Sequence, residues 1–329
     1  MTKIFVTRDI PDEGLKMLRA RPDIEIKVYA ENKKIPVGIL KSSVKGVDII
    51  LSLLTDKIDD EIMRSAGKQL KMIANYAVGF DNIDLEAAKK RGIVVANARA
   101  PEVSETVAEH AVALIFALAH RIVETDDFTR AGKYKGWGPK MFLGVDVTGK
   151  TLGIIGGGAI GEALARRMHD GFGVKIVYND LKPNEKFEQE FGAEFKEKDE
   201  LLKHADFISI HVPLLPSTRH LIGERELKLM KKTAYLINTS RGPIIDEKAL
   251  VVALTHGDIA GAGLDVYECE PMIACDPKDM AQLRALPNVI LTPHTASATI
   301  EARQAMGRAC AENILAFLDG KTPPNAVKS

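Results

Sequence analysis

The middle of the chain holds the feature that most limits its fold. The segment GKTLGIIGGGAIGEALARRM places Gly156, Gly158 and Gly161 in the spacing G-x-G-x-x-G, after an apolar run and before an Ala/Leu-rich helical pattern. A second apolar run, KIVYND, then ends in Asp180, nineteen residues beyond Gly161. The glycine spacing alone is common in turns. In a strand–turn–helix–strand context it specifies a βαβ unit built around a phosphate: the first glycine makes the tight turn, the second lets a pyrophosphate reach the backbone, and the third lets helix and strand pack closely. A carboxylate at the end of the second strand accepts the ribose hydroxyls of NAD and repels the 2′-phosphate of NADP, so Asp180 predicts NAD; Lys182, two residues on, softens that repulsion.

The flanking sequence extends this pattern. Residues 3–7, 24–28, 47–51, 72–75 and 93–96 read as short strands, with helical segments such as 13–20 and 59–65 between them. TLGII, KIVYND, FISIHVP, AYLINTS, AGLDV and VILTP read as six more strands. Strand–helix alternation of this kind predicts α/β architecture with parallel sheets covered on both faces. The run from Pro101 carries Val103, Val107, Ala111, Leu114, Ile115 and Leu118 on one helical face. Periodicity is lost between 126 and 147, a stretch holding the single tryptophan, Trp137. A final helix is expected over 299–318, stopped by Gly320 before Pro323 and Pro324.

A chain of 329 residues exceeds one comfortable core, so two domains are expected. Lys plus Arg equals Asp plus Glu at 45 each, which removes any electrostatic ground for nucleic acid or an anionic membrane as partner. The N-terminal MTKIFVTRDIPDEG lacks the apolar core of a signal peptide, and the apolar stretch 108–119 is too short to span a bilayer. Cys269, Cys275 and Cys310 have neither disulfide-framework nor zinc-site spacing. A cytoplasmic protein without a metal site is the expectation.

Three polar residues follow the later strands, where open α/β sheets bind ligands. INTSRGPIID places Arg241, GLDVYECEP places Glu270 and LTPHTASAT places His294. Singly, each has an ordinary structural explanation. Together they offer a forked cation for a carboxylate, an imidazole for proton transfer and a carboxylate to orient that imidazole.

With NYAVGFDNID, SETVAEHAVAL, the GGGAIG loop and HVPLLPST, these segments make the chain resemble the D-isomer-specific 2-hydroxyacid dehydrogenase family over nearly its whole length. KMIANYAVGFDNID, WGPKMFLGVDVTGKT and LKLMKKTAYLINTSRG look most like its glyoxylate/hydroxypyruvate reductase branch. The resemblance implies a flavodoxin-like substrate domain, 1–98 plus 297–329, and a Rossmann NAD-binding domain, 99–296. It implies that Arg241 holds the substrate carboxylate, that His294 gives a proton to the keto oxygen and that Glu270 hydrogen-bonds His294. It assigns Val78 and Gly79 amides to the carboxylate and Trp137 to the substrate pocket. Thr106, Gly156, Gly158, Ala159, Ile160, Gly161, Asp180, Val212, Pro213, Thr218, Thr239, Ser240, Asp265, His294 and Ala296 would line NAD. A homodimer acting on a small 2-oxo acid is implied, with the loop around Trp137 at the interface. Two alternatives share the fold: a D-lactate or other D-2-hydroxyacid dehydrogenase, and an NAD-dependent corepressor that binds peptides. Formate dehydrogenases place Gln where this chain has Glu270. The PMIACDPKDMAQ stretch departs from the family and leaves the rim of the site open.

Overall fold

The computed structural model describes residues 1–270 and 277–327. The chain divides into two compact units, Met1–Val103 with Ala298–Ser329, and Ser104–Ser297.

In the first unit, β1 (Thr2–Val6), β2 (Ile24–Val28), β3 (Ile49–Leu53), β4 (Met72–Tyr76) and β5 (Val94–Asn97) form a parallel sheet in the order β2-β1-β3-β4-β5. That is the flavodoxin-like order. Every residue of β4 is buried, as expected of an inner parallel strand covered on both faces. The helix Ile300–Leu318 begins at Thr299, whose side chain accepts from the Ala302 amide at 3.2 Å. It crosses the helix Asp12–Arg19 so closely that a Cβ on Gly14 would lie 2.1 Å from the Gly307 carbonyl oxygen.

In the second unit, β6 (Thr151–Ile155), β7 (Lys175–Asn179), β8 (Glu194–Phe195), β9 (Phe207–Ile210), β10 (Tyr235–Asn238), β11 (Gly261–Leu264) and β12 (Val289–Leu291) form one parallel sheet. Its order is β12-β11-β10-β9-β6-β7-β8, so chain direction across the sheet reverses between β6 and β9. This is a Rossmann arrangement, and its ligand crevice lies outside the strand ends at that switch point. Two apolar cores cover the two faces: Ile154 joins Leu114, Tyr178 and Phe187 on one, and Ile155 joins Ile208, Leu236 and Leu250 on the other. Sequence patterning marks six of these strands. The seventh, β8, is two residues long and too short to show alternation.

The first boundary falls after Val103, not between 98 and 99, and the second lies one residue later than expected. Hydrogen bonds account for the first shift. Asn313 Nδ2 donates to the Asn97 carbonyl at 2.9 Å, Asn325 Nδ2 to the Arg99 carbonyl at 3.2 Å, and Arg308 Nη2 to Glu102 at 2.9 Å. The first turn of the helix Pro101–Ala119 is thus fastened to the first unit. No single helix among the described residues is long and apolar enough to cross a membrane.

Candidate active site

The glycine turn connects β6 to the helix Ala159–Phe172. Gly156 has φ +101°, and a Cβ there would meet the His211 carbonyl oxygen at 2.7 Å. Gly158 caps the helix, and nothing lies within 4 Å of where its Cβ would be. A Cβ on Gly161 would stand 2.2 Å from the Gly156 carbonyl oxygen. Turn, open approach and close packing therefore fall to the three glycines in that order, with Ala159 and Ile160 opening the helix. Asp180, just past β7, is exposed, and its carboxylate accepts from the Gly157 amide at 2.9 Å and the Leu181 amide at 2.7 Å. The Asp180 carboxylate thus stands beside the glycine turn.

Other sequence-predicted cofactor residues surround the same strand ends. Val212 and Pro213 follow β9, and Thr218 Oγ1 donates to the Pro213 carbonyl at 2.6 Å while accepting from the Leu215 amide at 2.8 Å, which closes that loop. Thr239 follows β10; its Oγ1 is buried and has no partner among the described residues. A buried hydroxyl left this way is costly unless something reaches it. Together with the open Gly158 and the helix N-terminus, it fits a bound dinucleotide. Thr106 lies on the helix Pro101–Ala119.

Arg241 lies three residues past β10. The Asn238 side chain brackets its turn, accepting from the Ser240 amide at 3.0 Å and donating to the Arg241 carbonyl at 2.9 Å. Ser240 Oγ ties the turn to the Ile210 carbonyl at 2.8 Å, and Arg241 Nη1 donates to the Ser240 carbonyl at 2.8 Å. Sequence reasoning missed the role of the next residue. A Cβ on Gly242 would sit 1.8 Å from the Tyr267 carbonyl carbon, so only glycine lets the loops after β10 and β11 touch. No local sequence signal marks this contact with a loop 25 residues further on.

Glu270 follows β11 and His294 follows β12; Glu270 Oε2 lies 2.6 Å from His294 Nδ1, with both side chains about a quarter exposed. His294 has φ +55°, a left-handed conformation that costs a non-glycine residue on the order of 1 kcal/mol. Asp265 holds it there. The carboxylate is fully buried and accepts from the Thr295 amide at 2.8 Å, the Ala296 amide at 2.8 Å and the Thr292 hydroxyl at 2.6 Å. The Asp265 carbonyl accepts from the His294 amide at 2.9 Å. Tyr267 supports the same loop: its hydroxyl donates to the Thr292 carbonyl at 2.8 Å, and burial, aided by the charges of Glu270 and Asp265, pushes its phenol well above the usual range, so it remains a donor. His110, given no role by the sequence reading, places Nε2 at 3.1 Å from Thr292 Oγ1 and 3.6 Å from Asp265 Oδ1.

The resemblance also assigns substrate contacts to Val78, Gly79 and Trp137. Val78 and Gly79 lie in the first unit after β4, where Asn97 Nδ2 donates to the Val78 carbonyl at 2.7 Å and Asn75 Nδ2 to the Gly79 carbonyl at 2.9 Å. Trp137 is 81% exposed. Cys275 and the first half of PMIACDPKDMAQ lie outside the described residues.

A dinucleotide cradle at a Rossmann switch point, sharing its strand ends with a histidine–carboxylate pair and an arginine, defines an NAD-dependent dehydrogenase. Residues 112–296 match the family model described as D-isomer specific 2-hydroxyacid dehydrogenase, NAD binding domain. Glyoxylate reductase from Thermococcus litoralis is 50% identical, covering 99% of this chain and 96% of the relative. The crystal structure of the TT0316 protein from Thermus thermophilus superposes with a TM-score of 0.90 at 40% identity, covering 99% of this chain and all of that one. D-lactate dehydrogenase from Aquifex aeolicus, solved with NAD and lactic acid, superposes at 0.86 with 31% identity over 99% of both chains. The chain belongs to the D-isomer-specific 2-hydroxyacid dehydrogenase family, and its cofactor is NAD.

Proposed function

We propose that this enzyme reduces glyoxylate, and hydroxypyruvate with it, to the corresponding 2-hydroxy acid, of D configuration where a centre is formed. The chemistry rests on the 2.6 Å contact between His294 Nδ1 and Glu270. With Nδ1 engaged, Nε2 is the nitrogen that gives a proton to the keto oxygen. Glu270 keeps the ring oriented through the transfer. Bound NADH supplies the hydride that goes to the keto carbon. Arg241 grips the substrate carboxylate with its fork and leaves the keto group beside His294. Asp180 takes the ribose hydroxyls, and the amides that open the helix at Gly158 take the pyrophosphate. For Val78 and Gly79, the NYAVGFDNID resemblance supports a carboxylate-binding role. The choice of glyoxylate rests on the half-identical Thermococcus litoralis relative, a glyoxylate reductase.

The enzyme is further proposed to be a homodimer. Ile122, Val123, Tyr134, Trp137, Met141 and Leu143 are large apolar side chains exposed within one short stretch of chain, the kind of surface that an interaction covers. A second copy of the chain would cover them.

The deciding experiment is oxidation of NADH, then NADPH, over glyoxylate, hydroxypyruvate, pyruvate and bulkier 2-oxo acids. Glyoxylate and hydroxypyruvate should lead with NADH, and Asp180→Ala should narrow the preference for NADH at least tenfold by removing a like-charge clash. Turnover of pyruvate far above both, or a wild-type preference for NADPH, overturns the assignment.

A further inference from the structure

We propose that His110 is a positioning residue for His294, acting through Thr292 and Asp265; the inference rests on the proton-donor role proposed for His294.

The packing of the helix Pro101–Ala119 brings His110 to the site. His110, Leu114 and Leu118 lie four residues apart on one helical face. That face rides on β11 where the strand has no side chain: a Cβ on Gly263 would meet Leu114 Cβ at 3.2 Å and Leu118 Cδ1 at 3.3 Å. Asp265 is two residues beyond Gly263, about 6.6 Å along a strand. His110 is four residues before Leu114, about 6.0 Å along a helix. The two advances nearly match, so a histidine one turn before the leucine arrives over the buried carboxylate.

Hydrogen-bond arithmetic then assigns the proton. Thr292 has one hydroxyl hydrogen, and the 2.6 Å contact gives it to Asp265 Oδ1. The 3.1 Å contact from His110 Nε2 to Thr292 Oγ1 is therefore an N–H donation. A chain of donors runs from His110 through Thr292 to Asp265, whose carboxylate also holds the amides of Thr295 and Ala296, just past the left-handed turn at His294. Without the donor from His110, the Thr292 hydroxyl can rotate away. Asp265 then loses its shortest contact, and the loop is free to relax from the conformation that aims the imidazole.

The test is a set of variants assayed for NADH-dependent reduction of glyoxylate, with melting curves and NADH binding measured on each. His110→Leu keeps bulk and removes the donor, and kcat should fall about tenfold while KM for glyoxylate and Kd for NADH stay within about twofold. His110→Gln retains an N–H donor and should recover most of the rate. Thr292→Val should reproduce the loss, and His110→Leu/Thr292→Val should lose no more than either alone, because both cut one chain. Wild-type kcat in His110→Leu, a Gln variant as slow as Leu, or multiplicative losses in the double variant would each overturn the inference. If His110→Leu does not fold, the pair Thr292→Val and His110→Gln decides, with unchanged kcat in Thr292→Val counting against it. A wild-type enzyme inert toward glyoxylate and hydroxypyruvate would instead strike the proposed function.

Discussion

His211 makes folding itself sensitive to acid. It follows β9, directly beneath the glycine turn. Its Nε2 contacts Ser209 Oγ at 2.8 Å, and its Nδ1 is buried with no partner among the described residues. Burial alone drops this imidazole from 6.5 to about 4. Below 6.5 the unfolded chain binds a proton at this position and the folded one does not, so stability falls as pH falls. The loss is complete once pH reaches the folded value. Each pH step inside that window costs about 1.4 kcal/mol, so near pH 5 this group alone removes about 2 kcal/mol, a large share of a domain's net stability. The perturbation is His211→Gln, which keeps a partner for Ser209 and does not titrate. Urea unfolding followed by far-ultraviolet circular dichroism, from pH 7.5 to about 4.5, gives both stability curves. Their difference isolates His211 from other titrating groups common to both proteins, such as Asp56, whose carboxyl is pushed up by burial. The difference should be flat above about pH 7 and swing by about 2 kcal/mol in the variant's favour by about pH 5. Curves that stay parallel down to about pH 4.5 would refute the reasoning.

Arg241→Lys should lose most of kcat/KM for glyoxylate, on the order of a hundredfold, because a point charge cannot grip both carboxylate oxygens from a turn held by Asn238; NADH binding by fluorescence should be nearly unchanged, and near-normal turnover would remove the role. Light scattering should give about twice the 35.9 kDa chain mass, and Trp137→Glu should shift it toward one copy, whereas a monomeric wild type would remove the dimer.

What the sequence showed and what it hid divide along physical lines. The glycine turn was legible residue by residue because each of its constraints is local: φ at Gly156, open space at Gly158, a neighbouring carbonyl at Gly161. Arg241, Glu270 and His294 were legible as strand-end residues because apolar runs mark β10, β11 and β12. Their placement along one edge of the sheet was legible because parallel strands put their C-terminal ends on one side. Long-range contacts left no local trace. Nothing near Gly242 in the sequence says that Tyr267 will lie against it, and nothing near His110 points to Thr292, 182 residues on. The first boundary was misplaced because hydrogen bonds from Asn313 and Asn325, not composition, hold 97–99 to the first unit. Trp137 was assigned to a pocket by resemblance alone, because no local pattern says which of its faces another surface will meet.

The order of strands in the second unit separates two kinds of change. The glycine turn and Asp180 lie within one continuous stretch, 151–180, on β6 and β7. In this unit, Arg241 and His294, proposed to meet the substrate, lie on the far side of the switch point, after β10 and β12. Substitutions in the loops after β10, β11 and β12, away from Thr239 and Asp265, can therefore retune which acid is reduced while the glycine turn and Asp180 stay as they are. A lineage can explore new substrates on an inherited cofactor, one loop at a time, provided Asp265 continues to anchor the loop that carries His294.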